Sequence, residues 1–97
     1  VISDTFGRPF RMGETNVALG YSGLKSFADL RGTKDLYGKE LNATTIAIAD
    51  EIASAAELVM HKNSGNCAAL VRGLPDSYRG EGKASDLIRK ASEDLFR

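Results

Sequence analysis

An α+β fold is predicted: a small mixed sheet, one long amphipathic helix and a short C-terminal helix. Three observations lead there. Apolar, β-forming runs at residues 1–6 and 17–21 are bounded by glycine and proline. Between residues 45 and 61 the apolar positions change to three- and four-residue spacing. The whole sequence has 97 residues, which limits it to a single domain.

The elements follow in order. Residues 1–6 read as a strand that Gly7-Arg8-Pro9 stops, because proline donates no ladder hydrogen bond and keeps its predecessor out of the helical region. Residues 10–16 read as loop and 17–21 as a second, buried strand. Residues 24–41 mix charge with Gly32 and Gly38 and read as irregular, with room for one short strand. The clearest element is the helix at 45–61. Ile48, Ile52, Ala55, Ala56, Val59 and Met60 form its apolar face, while Asp50, Ser54, Glu57 and His61 share the other side. Asn42 or Thr44 can cap it, and Asp50 and Glu51 then sit too far inside to gain much from the helix dipole. Ile52 is expected in the core. Gly65 suits the turn that ends the helix. Residues 67–71, Cys-Ala-Ala-Leu-Val, read as a continuous apolar strand. A loop follows to residue 84, then a short helix over 86–89 capped by Ser85, then a weakly helical or extended end. The strands at 17–21 and 67–71 read as buried on both faces, yet the chain supplies one substantial helix to cover them. A covering partner is expected, either further chain or a second copy. The opening Val1-Ile2, without an initiator Met, adds the expectation of a longer parent chain.

Composition excludes several classes. Lys and Arg number 13, as do Asp and Glu, so neither a basic surface for nucleic acid nor an acidic tail is present. No apolar run is long enough to span a bilayer, and no signal peptide is visible. Cys67 is the single cysteine, which fits a reducing compartment and a cytoplasmic protein. As the opening residue of an apolar strand, Cys67 is expected to be a buried structural thiol.

Two tempting motifs fail. Gly80-Glu81-Gly82-Lys83-Ala84-Ser85 is not a phosphate loop, because Ser77 stands where the first glycine is needed and Ala84 where the hydroxyl should follow the lysine. His61 is the single histidine, so no zinc set and no Ser-His-Asp triad can be assembled. By itself it reads as a solvated residue in the last turn of a helix.

The segment Ser3-Asp4-Thr5-Phe6-Gly7-Arg8-Pro9-Phe10-Arg11 is chemically unusual. Hard divalent cations take oxygen ligands, and phosphates suit guanidinium forks. Asp4 and Thr5 point to opposite faces of a regular strand and converge only where the strand has ended. The residues alone leave two readings open, an ion- and phosphate-binding turn or a capped surface turn.

That segment, followed by Gly13-Glu14-Thr15-Asn16-Val17-Ala18-Leu19-Gly20, resembles the signature of coenzyme F420-0:γ-glutamyl ligases, over their C-terminal half. The likeness continues through Asp29-Leu30-Arg31-Gly32, Asp35-Leu36-Tyr37-Gly38-Lys39-Glu40-Leu41, residues 49–60, Ala69-Leu70-Val71-Arg72-Gly73, Gly80-Glu81-Gly82 and Glu93-Asp94-Leu95-Phe96-Arg97. It covers nearly the whole chain in order and less than half of a typical family member.

The resemblance implies a larger, interwoven dimeric ligase. GTP phosphorylates the terminal carboxylate of F420-0, and the amine of L-glutamate attacks the resulting acyl phosphate. Mg²⁺ or Mn²⁺ bridges the phosphates. By the same resemblance Asp4 and Thr5 ligate metal, and the loop Met60, His61, Lys62, Asn63, Ser64, Gly65, Asn66 and Cys67 contacts the nucleotide. Arg8 and Arg11 are candidates for phosphate or substrate contacts. The sequence departs from the family at this loop: His61 stands where many relatives have glycine, and Asn66-Cys67 replaces a more apolar pair. Lys62 stands where some relatives place a metal-ligating oxygen, a role that a charged lysine does not fill. Other metal and nucleotide contacts come from the family's N-terminal half, so these residues alone are not expected to catalyse. The competing reading is a stand-alone, non-catalytic half-domain that acts as a binding or assembly module.

Overall fold

Two strands join in an antiparallel hairpin: β1 (Ile2–Gly7) and β2 (Glu14–Gly20), in register from Gly7↔Glu14 to Ser3↔Ala18, with an irregularity between Ile2 and Ser3. The computed structural model describes residues 1–29, 36–38, 45–61 and 63–95. Pro9 lies in the connecting turn, where Phe10 and Gly13 take positive φ (61° and 86°). The Arg8 guanidinium spans this turn and donates to the Met12 carbonyl at 2.9 Å. A second antiparallel pair joins β3 (Phe27–Asp29) to β4 (Thr45–Ala47). β4 runs directly into α1 (Ile48–Met60). Among the described residues after α1 there are three short 3-10 turns, Asp76–Tyr78, Ala84–Leu87 and Ala91–Glu93.

The class is α+β, as expected. Among the described residues the strands form not one mixed sheet but two antiparallel pairs. β2 begins three residues before the apolar run, because Glu14, Thr15 and Asn16 pair with Gly7, Phe6 and Thr5. The helix starts at Ile48, since residues 45–47 are drawn into the ladder with β3. The suggested caps Asn42 and Thr44 lie outside the described residues. The cap position itself is Ala47, with no side-chain cap bond, so Asp50 and Glu51 fall in the first turn, where carboxylates oppose the dipole favourably. The strand expected at 67–71 does not form: these residues find no ladder partner, and Cys67 to Leu70 are exposed. Cys67 is an exposed free thiol rather than a buried one. The C-terminal helix shrinks to the single turn Ala84–Leu87.

α1 covers the outer edge of β2. The Ala18 N–H, which points away from β1, donates to Asp50 Oδ1 at 2.8 Å, and the Ser54 hydroxyl donates to the Asn16 carbonyl at 2.8 Å. An edge strand left open would expose both groups for pairing with another chain. Asp50 and Ser54 are four residues apart, so one helix face presents both. Beneath them Ile48, Ala49 and Ala53 are the buried apolar residues among those described. Ile52 is half-buried and lines an open apolar groove with Ala56, Val71 and Leu74, so it is not a core residue. Accessible surface totals 7814 Å². A compact monomer of this mass exposes roughly 5,400 Å², so the chain leaves much of its apolar surface uncovered.

The Gly-Glu-Gly stretch has a packing role. Residues 78–82 lie along 23–25, with Lys25 N donating to the Tyr78 carbonyl at 2.8 Å and Gly82 N to the Leu24 carbonyl at 2.6 Å. A Cβ on Gly82 would meet Ser26 at 2.5 Å, and one on Gly80 would meet Lys25 at 2.6 Å. The contact is fastened beyond the glycines. The Ser26 hydroxyl and the Lys83 N–H both donate to Asp86 Oδ2, and the Tyr21 hydroxyl donates to the Lys83 carbonyl at 2.7 Å.

Two outcomes are expected. Asp50→Ala strips the Ala18 N–H of its acceptor and lowers stability by about 1–3 kcal/mol, read from the denaturant midpoint; an unchanged midpoint would show that water replaces the carboxylate. The second concerns Asp86, whose pKa is held below its ordinary value, mainly by the Ser26 hydroxyl and then by the Lys83 N–H, with burial opposing and the Lys83 charge adding a lesser push downward. A depressed carboxylate stabilises above its unfolded pKa and loses that contribution as pH falls through the folded value. Hydrogen exchange at the Gly82 amide should therefore be faster in Asp86→Asn than in the parent at neutral pH. The two rates should converge in acid, below the ordinary carboxylate range.

Candidate functional site

The polar stripe of α1 continues past Ser54 to Glu57, and the helix then ends abruptly. His61, the C-cap, adopts φ 46° and ψ 129° while its N–H still reaches the Glu57 carbonyl at 3.4 Å. This backbone region is unfavourable for a side-chain-bearing residue. Ser64 holds the turn closed: its hydroxyl lies on the Met60 and His61 carbonyls, and its N–H donates to the His61 carbonyl at 3.3 Å. Gly65 takes φ 80°, the left-handed conformation that glycine adopts at no steric cost. Asn66 then folds back, its N–H donating to Ser64 Oγ at 3.3 Å and its amide nitrogen to the Val59 carbonyl at 3.5 Å.

This loop forms one wall of a cleft of about 410 Å³, a volume within the range of small-ligand sites. Ser3 and Asp4 of β1 and Asn16 of β2 form the opposite wall; Glu57 and Met60 come from α1, and His61, Gly65, Asn66 and Cys67 from the loop. Asn16 is 7% exposed. Its amide nitrogen donates to Ser3 Oγ at 3.2 Å, while its Oδ1 is buried without a hydrogen-bond partner. Buried acceptors are rarely left unpaired, so this oxygen has an unmet demand for a donor.

The site residues expected from the sequence divide. Asp4 lines the cleft with Met60, His61, Gly65, Asn66 and Cys67. Asn63 lines an adjoining depression with Glu14, Glu57 and His61. Ser64 builds the turn, and Lys62 lies outside the described residues. Thr5 does not line the cleft. It pairs regularly with Asn16, one position from Asp4 in an unbroken strand, so the two side chains leave β1 on opposite faces. The Thr5 N–H donates to Asp4 Oδ1 at 2.7 Å. Arg8 and Arg11 belong to the hairpin turn, away from the cleft; Arg8 is committed to the Met12 carbonyl, and its Nε is buried without a partner. Among the described residues no three His, Cys, Asp or Glu side chains come close enough together to hold a metal.

Ser3, Asn16 and Glu57 escaped the sequence reading. Glu57 had a signal, its place in the stripe with Asp50, Ser54 and His61, but the stripe has no named partner until β2 is laid against it. Ser3 and Asn16 meet only through the hairpin register.

The cleft between the β-hairpin and the end of the helix has the volume of a small-ligand site, and comparison with known proteins narrows its class. Residues 1–73 match the F420-0:gamma-glutamyl ligase family, and the chain belongs to that family. It is 52% identical over 101 residues to the coenzyme F420:L-glutamate ligase of Methanopyrus kandleri, covering 100% of this chain and 40% of that one. The ligases of the same name from Methanocaldococcus jannaschii and Archaeoglobus fulgidus are 47% and 45% identical over 98 residues, with 100% of this chain and 39% of each relative covered. The chain thus spans well under half the length of these relatives. No helix among the described residues is long and apolar enough to cross a membrane.

The backbone at His61 makes a measurable statement. Glycine relieves the strained conformation, so His61→Gly should raise stability by about 1 kcal/mol, the strain released exceeding the chain entropy that glycine adds. Thermal unfolding measures this; a lower melting temperature would show that contacts of the imidazole outweigh the strain.

Proposed function

We propose that this chain forms one wall of the nucleotide- and metal-binding site of an enzyme that joins L-glutamate to F420-0 at the expense of GTP. One observation carries the proposal. Asp4, near the start of the chain, shares a single cleft with Met60, His61, Gly65, Asn66 and Cys67, some 60 positions later. These are the residues that the family resemblance assigns to metal and nucleotide.

The donor chemistry fits a divalent cation. Asp4 and Ser3, both among the residues that line the cleft, carry hard oxygens, and no described Lys or Arg lines it to compete. Mg²⁺ or Mn²⁺, when bound, neutralises phosphate charge and aligns attacking and leaving groups. Asp4, which lines the cleft, and its neighbour Thr5 are the residues that the family resemblance would have hold it.

This chain's own contribution is positioning. The turn fixed by Ser64 presents the backbone of 65–67 at close range, with Gly65 leaving room for a ligand against the main chain. The reaction assigned to the site is phosphorylation of the F420-0 carboxylate by GTP, followed by attack of the glutamate amine and loss of phosphate. The apolar groove along Ile52 and Ala56 is assigned to the remainder of the enzyme or to a second protomer, and the enzyme to the cytoplasm.

Asp4→Asn in the full-length enzyme tests the reading. Loss of the charged ligand should weaken cation binding by about 3 kcal/mol and lower ligation about 100-fold, with the Mg²⁺ or Mn²⁺ requirement displaced to higher concentration. Ligation at the parent's rate and metal dependence would refute the assignment.

A further inference from the structure

We propose that Glu57 and Asn16 form the subsite for the ammonium group of the incoming amino acid, and that Glu57 is the base that takes its proton. The inference deepens the ligase reading and rests on it.

Three features point to a cationic donor. Asn16 Oδ1 is buried and unpaired beside the cleft that Asn16 lines, its amide nitrogen being already committed to Ser3. Glu57 adds a carboxylate from α1 to the same cleft. The described lining holds two carboxylates, Asp4 and Glu57, and no Lys or Arg. An ammonium group carries three N–H donors and a positive charge, which matches an amide oxygen and a carboxylate contributed by two residues of one cleft. A divalent cation asks for six or more oxygens, and Glu57 belongs to no cluster of three ligating side chains among the described residues. The two carboxylates therefore divide the work: Asp4 serves the phosphate end from β1, and Glu57 serves the amine from the helix.

The chemistry needs such a base. An ammonium nitrogen has no lone pair, so one proton must leave before attack. Glu57 accepts it. The nitrogen then bonds to the acyl carbon, the bond from that carbon to the phosphate oxygen breaks, and its electron pair departs with phosphate. The second nitrogen proton leaves on the phosphate as the amide forms.

Hydroxylamine provides the test in the full-length enzyme, because it is largely unprotonated at neutral pH and captures acyl phosphates without help from a base. Glu57→Gln should lower ligation of L-glutamate about 100-fold while GTP- and F420-0-dependent hydroxamate formation stays near the parent's rate. Retained hydroxamate formation also certifies that the variant is folded. Asn16→Ala should raise KM for L-glutamate and leave KM for GTP unchanged, and Glu57→Asp should recover part of the lost ligation. A parallel fall of hydroxamate and ligation in Glu57→Gln would assign Glu57 to the nucleotide half or to folding and overturn the proposal, as would unimpaired ligation. Absence of hydroxamate from the parent enzyme would instead overturn the acyl-phosphate reading itself, and the subsite with it.

Discussion

The arrangement depends on the polar stripe of α1 lying along the free edge of β2. Asp50 and Ser54 are four residues apart, about 6 Å of helix. Their partners Ala18 and Asn16 are two residues apart, about 7 Å of strand. Helix and strand run antiparallel with matched spacing, so one bond nearly determines the next. Extending the match by another step brings Glu57 and His61 toward Glu14, and these three do share a depression. The same alignment puts the C-terminus of the helix beside Asn16, and through the hairpin beside Ser3 and Asp4. The cleft is thus a consequence of the edge contact rather than a separate construction.

This contact also shows what periodicity can and cannot reveal. Spacing located the helix, but the expected apolar face includes Ala55 and Val59, which are exposed, and omits Ala49 and Ala53, which are buried; the polar stripe of Asp50 and Ser54 meets a strand edge. A strand edge is itself polar, and it is satisfied by carboxylates and hydroxyls as an apolar core is by leucines. The hairpin was legible from Pro9 and the β-formers around it, although its second strand reaches back through Glu14, Thr15 and Asn16, whose side chains carry little strand signal. Their pairing is dictated by β1. The run 67–71 misled for the converse reason. It is apolar and β-prone, but a strand needs a neighbour, and this segment lies along the helix groove with Leu70 75% exposed. Family likeness pointed to Asp4 and the loop after the helix; Ser3, Asn16 and Glu57, which line the same cleft, have no linear pattern to link them.

Glycine at 80 and 82 illustrates how a motif can be informative for another reason than the one it suggests. The stretch resembles a phosphate cradle because both need a chain without Cβ atoms. What approaches closely here is the backbone of Leu24 to Ser26. The fastening by Tyr21, Ser26 and Asp86 uses residues from both ends of the chain and brings the C-terminal segment against the connection that leads out of β2. Small cores leave little apolar burial to hold such segments, so tight main-chain contact and a charged hydrogen bond carry more of the task.

The strained His61 lies where helix, loop and cleft meet, and its position follows from the same geometry. The helix must stop there, since another turn along β2 would carry the chain away from Ser3 and Asp4. Glycine could make the reversal without strain, but this sequence has histidine, and the cost is met locally by the Ser64 hydroxyl on the Met60 and His61 carbonyls. Strain of this kind persists only where neighbouring bonds determine the turn from both sides. Here those bonds come from Glu57 on the helix and Ser64 in the loop, the former also a wall of the cleft. The residue proposed to receive the substrate's proton is therefore tied, through its own carbonyl, to the turn proposed to hold the nucleotide, so the amine end and the phosphate end of the site share one rigid support.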